Sequence, residues 1–130
     1  MGFRKLTLIV VDGIFAVCKL GADTTIPPWA TAGDFFSITR TADELSIVCR
    51  QDAVPEGIQC ERCWRCLRVA EAMPFTLVGV LSSLTTPVAK VGVGVFAFST
   101  FDTDYLLVKS AVLDRARTVL SDAGFDVTER

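Results

Sequence analysis

GVLSSLTTPVAKVGVGVFAFSTFDTDYLLVKSAVLDRARTVLSDAG, residues 79–124, carries the pattern that decides the fold. Val80, Leu81, Leu84, Val88 and Val91 recur at helical spacing, and Gly92 ends the run. Pro87 lies inside that helix and is expected to bend or loosen its last turn. Residues 93–99 are dense in Val and Phe and read as a strand. A polar turn around Asp102 leads into a second strand at residues 105–108. Ser110 is expected to cap a second helix. Leu113, Ala116, Leu120 and Ala123 are expected to face the core, with Gly124 as a left-handed stop.

Outward from this stretch, residues 64–69 read as a preceding strand and residues 125–127 as a following one. A loop over residues 71–79, holding Pro74, joins the first strand to the first helix. The order strand, helix, strand, strand, helix, strand is the split-βαβ, ferredoxin-like arrangement of an α+β fold. The first half is less regular. Residues 6–20 read as a hairpin turning at Asp12-Gly13. Pro27-Pro28 opens a short helical turn over residues 29–32, and residues 35–39 and 45–49 are strand candidates. The polar stretch 51–57, with Pro55 and Gly57, marks a boundary. Two modules are expected: residues 1–60, β-rich, and residues 61–130, βαββαβ.

The 130 residues suit one domain or two small modules. Net charge is −2 and no Lys/Arg run exceeds two residues, so nothing points to nucleic acid or an anionic membrane. The apolar run after Lys5 ends at Asp12, short for a signal peptide, and no stretch approaches the roughly 20 residues that span a bilayer. A cytoplasmic location is expected. Histidine is absent, which removes the commonest general base and metal ligand together. Ser-His-Asp and Cys-His machinery cannot be built from this chain.

Three stretches also carry a family resemblance. Residues 79–84 open a helix on Gly79, residues 94–108 run from a Val/Phe strand through Ser99-Thr100-Phe101-Asp102 into the next strand, and residues 35–46 precede them in the first half. Together they resemble the ACT-domain family of the aspartokinase type, and more closely the small two-module ACT-like proteins related to a cytosolic arginine sensor. The resemblance implies a pair of ACT-like modules, the first one degenerate, dimerised side by side. It implies an amino acid or similar small ligand bound at a module interface, and no cofactor. By position, the implied ligand-binding residues are Leu77, Val78, Gly79, Val80, Leu81, Ser99, Thr100, Phe101 and Asp104. With no fused catalytic domain, any regulated metabolic enzyme is a separate chain. Residues 77 and 78 lack the acidic side chain found in many aspartokinase-type sites, so ligand identity does not transfer.

Elementary chemistry supports the same site. A helix N-terminus offers unpaired N–H groups and partial positive charge for a carboxylate. Asp104 offers a carboxylate to an ammonium or guanidinium. In this fold the 99–104 turn is expected at the opposite end of the sheet from the first helix's start, so a second module would complete the site. The function expected is a non-catalytic amino-acid sensor. The alternatives are an interaction module without ligand, or a cysteine-based redox or metal-binding protein.

Cys60-x-x-Cys63-x-x-Cys66 has the spacing of some Fe–S and zinc proteins. A tetrahedral site needs a fourth ligand, and only Cys18 and Cys49 remain. With Cys66 held in a strand and Cys60 in a loop, reduced structural thiols are expected. Anaerobically purified protein should therefore carry no stoichiometric zinc or iron. Elemental analysis finding one metal per chain would contradict this.

Overall fold

The apolar run after Leu6 does not turn back at Asp12-Gly13. In the computed structural model, which describes residues 6–74 and 78–129, it continues as one 14-residue strand, β1 (Thr7–Leu20). The expected hairpin is absent: Gly13 takes φ +108°, a conformation open to glycine, within the strand. Both flanking runs then find partner strands elsewhere: residues 7–10 on one segment, residues 15–20 on another. The other elements follow as β2 (Ser37–Arg40), β3 (Leu45–Arg50), β4 (Cys60–Val69), α1 (Val80–Lys90), β5 (Phe96–Ser99), β6 (Asp104–Lys109), α2 (Leu113–Asp122) and β7 (Asp126–Glu129).

The chain forms two compact units, and the strand β1 contributes to each. The first comprises residues 13–64. Here β3 pairs antiparallel with β1, from Phe15↔Arg50 to Leu20↔Leu45, and with β2 on its other edge. Alternate residues of these strands, Ala16 and Cys18 with Leu45, Ile47 and Cys49, point to one side and bury together with Ala30. Two single 3-10 turns, Pro28–Thr31 and Gln51–Ala53, replace helices. Phe15, on the opposite side, meets Phe35 edge-on at 5.3 Å, and the Arg50 guanidinium lies 5.7 Å over its ring.

The second unit holds residues 65–129 and, from the start of the chain, residues 6–12. It contains the expected βαββαβ order. The boundary read after residue 60 assigned that first segment to the other module; here β7 pairs parallel with β1, from Thr7↔Asp126 to Val10↔Glu129. The fold is α+β and ferredoxin-like. Val80, Leu84 and Val88 of α1 and Leu113, Ala116 and Leu120 of α2 share one core with Leu8, Val10, Leu67, Val69, Leu106 and Val108. Both helices thus lie on one face of the strands. On the other face, Phe98 stacks on its cross-strand partner Tyr105 at 5.3 Å, beside the buried Leu107.

Helix ends differ from the reading of the sequence. Ser110 does not cap α2: residues Ser110–Val112 form a 3-10 turn, and the N-cap is Val112, with no side-chain bond. Ala123 is exposed, because the helix ends at Asp122 and Ala123 belongs to the cap. Val91 is likewise outside α1 and exposed. Cys60 lies in β4, not in a loop.

Leu84 is 1% exposed at the centre of the second unit's core. Leu84→Ala should cost about 2–5 kcal/mol, the range for deleting a buried leucine side chain. Urea denaturation measures it, and a loss below about 1 kcal/mol would contradict this packing.

Candidate functional site

The 99–104 turn is held from two sides. Within the turn, the Thr100 N–H donates to the Thr103 carbonyl at 2.8 Å, and the Thr103 N–H donates to the Thr100 hydroxyl at 3.3 Å. Outside it, the Thr103 hydroxyl donates to the Val69 carbonyl at the end of β4, 2.8 Å away. The Met73 N–H donates to the Asp102 carbonyl, also at 2.8 Å. These bonds join the β5–β6 turn to the segment that leaves β4 for α1.

Between them lies a cavity of about 190 Å³, lined by Met73, Pro74, Val80 and residues 99–104. The start of α1 and the strand turn therefore meet within one unit. The expectation that they lie at opposite ends is corrected by simple direction. Helix α1 runs back along the sheet from its start, β5 returns along that length, and its end arrives where α1 began. No second module is needed to bring these groups together.

Five sequence-derived candidates, Val80, Ser99, Thr100, Phe101 and Asp104, line the cavity. Leu81 instead packs against the helix-side core. Val78 is largely exposed and outside the lining, and Leu77 lies outside the described residues. Gly79 does not line the cavity; it is the N-cap of α1 in the left-handed region, φ 81° and ψ 1°. Its carbonyl accepts the first helical bond, from the Ser83 N–H at 2.9 Å. Met73, Pro74 and Thr103 were not singled out from sequence. Only Pro74 in the loop and the polarity of the turn hint at them, because their place depends on the long-range bonds to the turn.

Among the described residues, the cavity is lined by two carboxylates, Asp102 and Asp104, and by no basic side chain. The Ser99 hydroxyl donates to Asp104 Oδ1 at 2.5 Å, which fixes that carboxylate's orientation. The first N–H groups of α1 have no carbonyl four residues back within the helix. Val80, the first residue of α1, and two cation-favouring carboxylates thus border one small space. A wider depression of about 660 Å³ in the first unit is lined by Arg50 and Arg62 together with Asp52 and Glu56, charges of both signs.

The cysteine motif is dispersed. Cys63 is exposed with φ 68°, and Cys66 is buried, its thiol pushed up to about 12 by desolvation. Cys60 is half-buried beside Cys18, and Cys18 interacts in turn with buried Cys49. Donating its S–H toward Cys49, together with burial, holds Cys18 well above the ordinary thiol range; the same bond lowers Cys49. Among the described residues, no three Cys, Asp or Glu side chains are placed to hold a metal ion. No described helix is long and apolar enough to cross a membrane.

A family model described as an ACT domain matches residues 59–122, and a separate model for an N-terminal domain matches residues 13–57. A solved structure from Agrobacterium tumefaciens is 36% identical, covering 98% of this chain and 96% of its own, with a TM-score of 0.92. The regulatory subunit of aspartate kinase from Thermus flavus is 11% identical, covering 92% of this chain and 97% of that one, TM-score 0.61. E. coli aspartokinase III, solved with aspartate and ADP, is 9% identical at TM-score 0.62, covering 93% of this chain and 33% of that one. At such identity the two kinase matches speak to fold alone. No curated protein matches the sequence.

A left-handed N-cap restricts residue choice at position 79. Gly79→Ala should cost about 1–2 kcal/mol, the penalty for placing a Cβ in this backbone region. Equal melting temperatures for the variant and the parent would show that the cap relaxes at no cost.

Proposed function

Because this chain belongs to the ACT-domain family, we propose that it is a non-catalytic sensor that binds an amino acid, or a similar small ligand, in the cavity between α1 and the 99–104 turn. The observation that supports this best is the cavity itself: the helix start and an oriented carboxylate border the same space. At about 190 Å³ it is smaller than the roughly 300–1,000 Å³ of drug-sized sites, which suits a small metabolite. The ligand's α-carboxylate meets the N–H groups opening α1. Its ammonium, or a cationic side chain, meets Asp104, which Ser99 holds in place. Gly79 sets the direction of α1 and leaves that backbone uncrowded.

In this reading the chain works in the cytoplasm as a homodimer and regulates a separate metabolic enzyme. Strand β5 ends the strand order, paired with β6 alone among the described residues, and its outer edge is open to a second copy. An interaction module without ligand is the second reading. It is favoured by Val78 and Phe101, large apolar side chains each 78% exposed near the cavity.

A thermal-shift screen with the proteinogenic amino acids separates the two. A ligand at about 100 times its Kd adds about 2.7 kcal/mol of stability, a clear rise in melting temperature. No shift with any of them would favour the interaction module. With a confirmed ligand, Asp104→Ala should weaken binding by roughly 10- to 150-fold, the loss of a charged hydrogen-bond partner at about 1.5–3 kcal/mol. Calorimetry giving unchanged affinity would remove Asp104 from the site.

A further inference from the structure

The sequence draws attention to Cys60, Cys63 and Cys66 because they are evenly spaced, but the strands give Cys60 a different neighbour. The Lys19 N–H donates to the Gln59 carbonyl at 2.9 Å, and the Ala70 N–H donates to the Thr7 carbonyl at 2.8 Å. Low numbers on β1 thus meet high numbers on the β4 side, as antiparallel neighbours. With Lys19 opposite Gln59 in a hydrogen-bonded pair, the next pair inward is Cys18 with Cys60, a non-hydrogen-bonded pair. At such positions the Cα atoms lie about 4.5 Å apart, the close end of the roughly 4.4–6.8 Å that disulfides span. Both side chains turn to the same side: Cys18 is in the first unit's core and Cys60 packs against that core. On the other edge of β1, Cys18 lies opposite Ile47, and Cys49 is two residues further along β3. Cys49 is diagonal to Cys18, where a cross-link fits less well.

We infer that Cys18 and Cys60 form a reversible dithiol–disulfide couple, a modification site oxidised by exchange with low-molecular-weight disulfides. Exposure sets the order of events. Cys18 and Cys49 are buried and Cys60 is half-buried, so reagent reaches Cys60 first. The Cys60 thiolate attacks one sulfur of the oxidant, the oxidant's S–S bond breaks, and one thiol leaves. The Cys18 sulfur then attacks the Cys60 sulfur, its proton passes to the departing thiolate, and the second thiol leaves. Two protein thiols lose two electrons in all, and one disulfide is reduced to two thiols. Strand pairing already holds the two cysteines together, so closure needs no movement of the backbone. Burial raises the Cys60 thiol, so the exchange is slow near neutral pH and faster in mildly alkaline buffer. Such couples inside cells are characteristically transient and redox-sensing.

The test uses the full chain carrying Cys63→Ser, which removes the exposed thiol. The protein is equilibrated with oxidised and reduced glutathione, quenched in acid, alkylated and mapped by mass spectrometry. The expected result is loss of two alkylatable thiols with no glutathione retained, a Cys18–Cys60 cross-linked peptide, and full recovery in dithiothreitol. With Cys18→Ala added, a stable glutathione adduct on Cys60 should replace the cross-link. A persistent Cys60 adduct with Cys18 present, a Cys18–Cys49 cross-link, or complete alkylation under oxidising conditions would each overturn the inference.

Discussion

Two hydrogen bonds hold the candidate ligand site together. The Thr103 hydroxyl to the Val69 carbonyl and the Met73 N–H to the Asp102 carbonyl, each 2.8 Å, tie the β5–β6 turn to the chain leaving β4. Without them the turn would be an ordinary polar loop, free to swing away from α1. With them, a carboxylate and a helix start border one space whose shape is set before any ligand arrives. Preorganisation of this kind reduces the ordering cost of binding, which matters most for a small ligand with few contacts to offer.

The two units handle burial differently, and the difference bears on which of them carries the cavity. Residues 65–129 with 6–12 cover one strand face with two amphipathic helices, and the cavity forms where one helix begins. Residues 13–64 cover their face with two 3-10 turns and the side chains of Trp29, Ile38, Val54 and Ile58. An α-helix start presents several aligned N–H groups together, whereas a single 3-10 turn presents few. The ligand reading therefore rests on the helical unit, and the thiol couple occupies the other.

The legible parts of the sequence were those governed by local periodicity. Val80, Leu84 and Val88 sit at the spacing of one helix face, and Leu106 and Val108 alternate as a half-buried strand must, so α1, α2, β5 and β6 could be read directly. Asp12-Gly13 misled because a turn dipeptide is a local signal, and the pairing of residues 7–10 with β7 is a contact across most of the chain. Ser110 misled for a related reason: a good capping residue was present, but the chain makes a 3-10 turn before the helix begins. Within the candidate site, Ser99, Thr100 and Asp104 were visible in the sequence. Met73 and Pro74 were not, since they reach the cavity only through a bond to a residue 29 positions away from Met73, Asp102. The partnership of Cys18 with Cys60 was hidden in the same way, behind a more conspicuous spacing motif.

The central claim is that a small amino-acid-like ligand occupies the space between α1 and the 99–104 turn. Backbone amide NMR of the labelled protein, titrated with a mixture of the proteinogenic amino acids, addresses it most directly. Saturable shifts are expected at Val80, Leu81, Ser82 and residues 99–104, with residues 13–64 little changed. Spectra that do not move, or saturable shifts centred on residues 13–64, would contradict it.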